Sequence, residues 1–239
     1  MPNKPDPARY LLFGLFAVAA AYSVVACLIG ALPMTAFLRA LPTLLLVVAA
    51  ALWSRRRYGL LVALGLLCGA CGDYFLASAA RDWFLPGLAA FLIGHVFYVV
   101  AFAPARRVTG GRLAVVAVTA LGVAALTATV GQRLVATGET RLLAPVIAYS
   151  AVILAMAAAA VLHACATPLI AVGALIFVVS DAHIAVNHML RETPHLALTV
   201  SGYATYYLGQ GLIAAGAVIA ASDSSQWTNA AARTLPIAE

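Results

Sequence analysis

The chain has 239 residues, of which 64% are hydrophobic and only 9% are charged, and its mean hydropathy is +1.02. Soluble proteins carry about 25% charged residues, so this composition excludes a soluble domain and indicates an integral membrane protein. The formal net charge of +6 comes from arginines that are spread over loops without interleaved aromatic residues, which argues against nucleic-acid binding.

Apolar runs of about 20 residues, the length at which a helix crosses a bilayer, predict eight spans. They cover residues 9–30, 37–53, 58–79, 84–103, 112–131, 141–162, 167–189 and 196–221. The short second span leaves counts of seven and nine open. We therefore expect an all-α polytopic membrane protein with a single eight-helix domain over residues 1–222. The polar stretch 223–239 is predicted to be a disordered tail.

Basic residues predict the orientation, because cytoplasmic loops carry an excess of lysine and arginine. With eight spans, nine basic residues fall on the side of the N-terminus and five on the opposite side. Both termini are therefore predicted to be cytoplasmic. Arginine outnumbers lysine thirteen to one, which suggests a GC-rich bacterial genome, and we expect the protein in a bacterial inner membrane.

A weak repeat relates the two halves of the chain, about 9–107 and 112–221. A shift of 108 residues superposes Gly65 on Gly173, Asp73 on Asp181, Pro86 on Pro194, Gly94 on Gly202 and Tyr98 on Tyr206. An offset of four spans preserves direction across the bilayer, so we expect two parallel four-helix repeats. Such symmetry makes Asp73 and Asp181 candidates for one shared site.

The two aspartates lie inside apolar spans, where a charged side chain costs at least about 2.5–3.5 kcal/mol. A purely structural aspartate would form a hydrogen bond to a neighbouring helix, and such a bond stabilises a membrane protein by only about 0.6 kcal/mol on average. The sequence therefore favours a functional role for Asp73 and Asp181, with the structural role as the alternative.

Small and polar residues accompany both aspartates. Gly65, Gly69 and Ala77 recur with Asp73 every four residues, a face that lets another helix approach closely. His188 follows Asp181 by seven residues and lies on the same helical face, with Asn187 at its edge.

The eighth span carries a stripe of polar and aromatic residues at the spacing i, i+3, i+4, i+7, which places them on one helical face. The stripe consists of Tyr203, Tyr206, Tyr207 and Gln210. The equivalent positions in the fourth span include His95 and Tyr98.

Two neighbouring carboxyl groups in a dry site titrate as a pair, one protonated and the other ionised. That arrangement suits a substrate that hydrolyses through protonation and an oxocarbenium ion, such as an acetal or an enol ether. The sequence has neither a G-x-S-x-G motif nor a cysteine in a plausible dyad.

Four segments resemble one family. They are GDYFLA (72–77), GHVFYVVAF (94–102), GALIFVVSDAHIAVNH (173–188) and YYLGQGLIA (206–214). Together they are similar to the YhhN-like membrane proteins of the lysoplasmalogenase family. The resemblance implies an eight-span hydrolase that cleaves the vinyl-ether bond of lysoplasmalogens, using water and no cofactor. The products would be a fatty aldehyde and a glycerophosphocholine or glycerophosphoethanolamine.

The family's paired acids correspond to Asp73 and Asp181. Its flanking polar residues, which we expect to contact the substrate, correspond to His95, Tyr98, Ser180, Asn187, Tyr206, Tyr207 and Gln210. We add His188 because it shares a face with Asp181. One aspartic acid would protonate the vinyl carbon distal to the ether oxygen, and the other, ionised, would stabilise the cation and guide water to it.

Two rival functions stay open. Parallel repeats with acids inside the membrane also occur in proton-coupled transporters, which would show broken helices near the acids. A metal-dependent hydrolase could use Asp181, His183 and His188, but the two histidines are five residues apart rather than the four that zinc-binding helices use; no metal is expected. A retinal protein is excluded because the sole lysine is Lys4.

Overall fold

The computed structural model describes residues 6–30, 32, 34–54, 56–77, 83–104, 106–164 and 167–222. Eight α-helices lie within these residues, in agreement with the all-α prediction. They are α1 (Pro7–Ile29), α2 (Ala36–Trp53), α3 (Arg56–Leu76), α4 (Phe84–Phe102), α5 (Gly110–Ala136), α6 (Leu143–Leu162), α7 (Leu169–Ala185) and α8 (Leu196–Ser222). A 3₁₀ helix, Thr140–Leu142, precedes α6, and a π-helical segment, Val186–Leu190, continues α7. The predicted tail, 223–239, lies outside the described residues.

Local capping explains where the first helices begin and end. The Asp6 carboxylate accepts a hydrogen bond from the Ala8 amide at 3.0 Å and caps α1. Gly30 ends that helix in the left-handed region at φ 71°, a conformation that glycine adopts without strain. The Thr35 hydroxyl group accepts from the Leu38 amide at 3.2 Å and caps α2.

Seven of the described helical stretches are long and apolar enough to cross a membrane: α1 to α6, and α7 together with the π-helical segment. The protein is therefore a polytopic membrane protein. α8 has 27 residues, about 40 Å of helix at 1.5 Å per residue, and its passage through the bilayer stays a prediction. α1 and α5 are the least buried of the seven, so both lie at the periphery.

Two helix pairs approach closely because glycines face each other across them. A β-carbon at Gly94 of α4 would lie 2.9 Å from the Gly65 carbonyl oxygen of α3. A β-carbon at Gly173 of α7 would lie 2.7 Å from the Gly209 carbonyl oxygen of α8. Neither contact has room for a side chain, which confirms the predicted close approach of a second helix to α3.

The peripheral helices differ between the two ends of the chain. α2 packs against α3 and α8, and α6 packs against α7 and α4. α1 packs against α2 and α8, but α5, which packs against α6, makes no comparable contact with α4. α4 and α5 therefore do not pack closely against each other. A symmetry relation between the halves stays a prediction.

Candidate functional site

Asp73 lies in a polar cluster that joins α2, α3 and α8. Its side chain is 5% exposed, and its Oδ2 atom accepts hydrogen bonds from Thr43 Oγ1 at 3.0 Å and from the Tyr206 hydroxyl group at 2.8 Å. The two donors are 3.2 Å apart. A buried carboxyl group held by two hydroxyl groups from other helices is thus fixed in one orientation.

The predicted stripe on α8 makes polar contacts along its whole length. The Tyr207 hydroxyl group donates to the Arg39 carbonyl oxygen at 2.9 Å. The Arg39 guanidinium donates to the Tyr203 hydroxyl group and lies 5.2 Å from the centre of that ring. The Tyr98 hydroxyl group donates to Gln210 Oε1 at 2.6 Å. Among these partners, Arg39 was not predicted, because no pattern in the sequence points to it.

Asp181 faces a different set of helices. The Tyr149 hydroxyl group of α6 donates a hydrogen bond to Asp181 Oδ2 at 2.5 Å. Tyr149 was not predicted, because a single tyrosine in an apolar span is more often an interfacial anchor. Nothing in the repeat offset or in the helical stripes points to it.

A cavity of about 480 Å³ lies beside Asp181, where α5 stands away from α4. Its walls are mainly apolar and come from α3 to α7 and the π-helical segment. They consist of Leu76, Phe84, Leu88, Phe91, Thr119, Gly122, Val123, Leu126, Thr127, Val130, Val146, Tyr149, Ser150, Ile153, Leu175, Val178, Val179, Asp181, Ala182, Ile184, Ala185 and Met189. The cavity is thus a hydrocarbon-like space with one carboxyl group on its wall.

The structure gives the two aspartates different hydrogen-bond partners, and the shared site expected from symmetry stays a prediction. Asp181 lines the cavity, and Asp73 is not among the lining residues. A series of ring contacts runs between them: Tyr206 to Phe177 at 5.5 Å, Phe177 to His95 at 4.8 Å, and His95 to Tyr149 at 5.5 Å between centroids. Helix rotation is the reason, since Asp73 points to α2 and α8 whereas Asp181 points to α6.

His95 lies between these surroundings. Its side chain is 1% exposed, and its edge contacts with Tyr149 and Phe177 pack it tightly. Both ring nitrogens are buried and make no hydrogen bond within the part of the chain that the structure describes. Such a group is available to a bound molecule that reaches it.

Three other predicted substrate contacts have different surroundings. The buried Ser180 hydroxyl group donates to the Gly202 carbonyl oxygen at 3.0 Å and ties α7 to α8. The Asn187 side chain donates to Thr199 Oγ1 at 2.9 Å and accepts from the His195 amide at 2.6 Å. Both side chains therefore hold helices together. His188 is exposed, with its ring 6.4 Å from that of Phe84.

The helices that carry the aspartates are continuous. α3 runs from Arg56 to Leu76 and α7 from Leu169 to Ala185, so neither helix is interrupted at its acid. The π-helical segment begins five residues after Asp181, however, and the transporter alternative stays open. Within those residues, no group of three histidine, cysteine or acidic side chains could hold a metal ion.

Comparison with known proteins gives the family. Residues 34–217 match the YhhN family. Two curated relatives, each named lysoplasmalogenase, come from Mycobacterium bovis and Mycobacterium tuberculosis, and each is 32% identical over 155 residues. The matched stretch is 63% of this chain and 58% of each relative, so the chain spans less than two thirds of their length. No solved structure matches. Since the family match covers most of the sequence, including both aspartates, the chain belongs to the YhhN family.

Proposed function

We propose that this protein hydrolyses the vinyl-ether bond of lysoplasmalogen-type lysophospholipids, releasing a fatty aldehyde and a glycerophospho-alcohol. The observation that carries the proposal is the position of the Asp181 carboxyl group on the wall of an apolar cavity. The names of the two mycobacterial relatives support the same reaction. Substrate and water are the partners that we infer, within the lipid bilayer.

The cavity suits a lipid with one chain. Its volume falls within the range of roughly 300–1,000 Å³ that is usual for small-molecule sites. Along α7 and the π-helical segment its lining extends from Leu175 to Met189, about 21 Å of helix at 1.5 Å per residue. Asp181 lies between these limits. A hydrocarbon chain can therefore fill the end at Leu175 while the vinyl ether lies at Asp181.

In the proposed reaction a single carboxyl group, that of Asp181, acts first as a proton donor and then as a carboxylate that stabilises the cation. Protonated Asp181 gives its proton to the vinyl carbon distal to the ether oxygen, and an oxocarbenium ion forms at the carbon bonded to that oxygen. The carboxylate left behind is stabilised by the hydrogen bond from Tyr149 and lies beside the cation. Water adds to the cation and returns a proton to Asp181. The resulting hemiacetal breaks into aldehyde and alcohol.

The two aspartates then have different tasks. Asp73 accepts from Thr43 and Tyr206 and does not line the cavity. We infer that it positions Tyr206, whose ring contacts Phe91 and Phe177 at 5.8 and 5.5 Å between centroids. Because Phe91 also lines the cavity, Asp73 acts on the site through packing rather than by contact with substrate.

The test uses the purified protein in lipid nanodiscs with 1-alkenyl-glycerophosphoethanolamine, and with its 1-acyl and 1-alkyl analogues as controls. Fatty aldehyde should form from the alkenyl lipid alone. Asp181→Asn should lower the rate by about 100-fold or more, the lower part of the range for general acid–base catalysis. Glu139→Gln is the matched control, because Glu139 does not line the cavity and its side chain caps no helix. Full activity of Asp181→Asn, or no aldehyde from the wild type, would overturn the proposal.

We also propose that both termini face the cytoplasm of a bacterial cell and that the protein resides in the inner membrane, as the distribution of arginine predicts. Reporter fusions at each terminus test the orientation. A fluorescent reporter that folds only in the cytoplasm should be active at both ends, and a periplasmic phosphatase reporter should be inactive at both. The reverse pattern at either end contradicts the proposed topology.

A further inference from the structure

The end of the cavity at the π-helical segment carries a pair of opposite charges. Arg133 of α5 follows the lining residue Val130 by three positions, and Glu192 follows the lining residue Met189 by three. The Arg133 Nη2 atom lies 3.7 Å from Glu192 Oε1. The pair therefore connects α5 with the residues that follow the π-helical segment, just beyond the apolar lining of the cavity.

Arg133 continues the wall that α5 contributes. Leu126, Val130 and Arg133 are spaced i, i+4 and i+7, so they lie on one face of the helix, and the first two line the cavity. Long side chains on a helix lean toward its N-terminal end. The Arg133 side chain, which contacts Glu192 in this structure, is therefore also able to reach back toward the turn that holds Val130 and the cavity.

The contact with Glu192 leaves the guanidinium available to another anion. The distance of 3.7 Å exceeds the usual 3.2 Å limit of a hydrogen bond. The two side chains are 42% and 89% exposed, and a pair as exposed as this contributes about 0–1 kcal/mol. A phosphate group, by contrast, matches the fork of the guanidinium and accepts two parallel hydrogen bonds from it.

We propose that Arg133 binds the phosphate group of the lipid's head group while the chain lies in the cavity, which makes it a specificity-determining residue. This inference rests on the proposed function. Six bonds separate the vinyl carbon that is bonded to the ether oxygen from phosphorus in a lysoplasmalogen, a reach of about 8 Å at covalent bond lengths. Asp181 and Met189 are about 12 Å apart along the helix axis. A side chain as long as that of Arg133, reaching back from the last turn of α5, is able to cover the remaining distance of about 4 Å.

The test compares two substrates with the same alkenyl chain: 1-alkenyl-glycerophosphoethanolamine, and 1-alkenyl-glycerol, which has no phosphate. In nanodiscs, Arg133→Gln should raise the KM for the phosphate-bearing lipid by about 10-fold or more, the effect of losing a hydrogen bond between charged groups. Its KM for alkenyl-glycerol should be unchanged. Arg133→Lys should recover part of the loss. Arg141→Gln, which removes an exposed arginine near the same end of the bundle, should change neither value.

A second variant tests the role of the acid. Glu192→Gln should lower the KM for the phosphate-bearing lipid by no more than about fivefold, because the contact that it removes from Arg133 contributes only about 0–1 kcal/mol. Equal effects of Arg133→Gln on both substrates, or none on the phosphate-bearing lipid, would overturn the inference and leave an arginine that merely stabilises the end of α5. If the wild type released aldehyde from neither substrate, the proposed function itself would fail.

Discussion

The Tyr149 hydroxyl group donates a hydrogen bond to Asp181 Oδ2 at 2.5 Å, and both residues line the apolar cavity. Tyr149 comes from α6 and Asp181 from α7, so the carboxyl group is oriented by a neighbouring helix. The edge of His95 packs against the same tyrosine ring at 5.5 Å between centroids. The position of the carboxyl group thus depends on three helices.

Replacing Tyr149 with phenylalanine should lower kcat about 10-fold or more and leave the KM for substrate nearly unchanged. The reason is that the hydroxyl group stabilises the carboxylate formed on proton transfer, and a hydrogen bond to a charged group contributes about 1.5–3 kcal/mol. Steady-state aldehyde release gives both constants. Tyr74→Phe is the matched control, because Tyr74 is 53% exposed. An unchanged kcat in Tyr149→Phe would contradict the role given to this hydrogen bond.

Replacing Asp73 with asparagine should reduce aldehyde release by less than about 10-fold, whereas the same change at Asp181 should reduce it by about 100-fold or more. In the Asp73→Asn variant the new amide oxygen can still accept from Thr43 and Tyr206, so the packing around Phe91 is retained. Rates of the two variants on one substrate make the comparison. If the Asp73 variant lost as much activity as the Asp181 variant, both acids would have to act on the substrate, as the sequence alone predicts.

Replacing each aspartate with alanine should destabilise the protein more at Asp73 than at Asp181, the reverse of the order expected for activity. Asp73→Ala removes the acceptor of the buried Thr43 and Tyr206 hydroxyl groups, which lie 3.2 Å apart, so one can still donate to the other and one donor is left unsatisfied, at about 1–3 kcal/mol. Asp181→Ala also leaves one donor, that of Tyr149, but this hydroxyl group borders a cavity in which water can replace the lost acceptor. The apparent melting temperature in a single detergent should therefore fall further for Asp73→Ala. A larger fall for Asp181→Ala would show that the Asp73 cluster is less tightly held than its contacts indicate.

Leucine at Gly122 should make the protein prefer shorter chains. Gly122 lines the cavity, and a β-carbon there would have no heavy atom within 4 Å, so the new side chain fills space that a substrate chain would use. We expect kcat/KM to fall roughly 10-fold more for long than for short alkenyl chains, the effect of a few methylene groups. Gly14→Leu on α1, another glycine with open space, is the control. Equal effects on all chain lengths would show that the chain lies elsewhere.

Alanine at Gly173 should destabilise the fold. Its β-carbon would lie 2.7 Å from the Gly209 carbonyl oxygen and 2.9 Å from the Ile213 amide nitrogen, and backbone atoms cannot rotate away as side chains do. Overpacking of this kind costs about 1–3 kcal/mol. The apparent melting temperature should fall for Gly173→Ala and stay constant for Gly14→Ala. Equal melting temperatures would mean that α7 and α8 are less closely packed than described.

The sequence predicts the helices well because hydrophobic length and helix-ending residues are local signals. The predicted span 84–103 corresponds to α4 at Phe84–Phe102, and 196–221 corresponds to α8 at Leu196–Ser222. Polar residues on a regular helical face were also recognisable: Tyr206 and Gln210 were selected for their spacing, and both make buried hydrogen bonds.

Contacts between helices are what the sequence could not supply. Thr43 and Tyr149 bond the two aspartates from α2 and α6, and no spacing within one helix reveals how two helices are rotated about their axes. The shared site stays a prediction for the same reason. A repeat offset equates Asp73 with Asp181 in position, but their distance depends on which neighbours each helix face meets.

The cavity, which α4 and α5 both line, has a consequence for how the proposed turnover should respond to concentration. A lipid that entered it sideways from the hydrocarbon layer would be sampled by diffusion in two dimensions. Its saturation should therefore follow its mole fraction among the surrounding lipids, and diluting the preparation with buffer at constant lipid composition should leave the rate per enzyme molecule unchanged. Straight-chain detergents would occupy the same space as the substrate, and would act as competitive inhibitors in micellar assays.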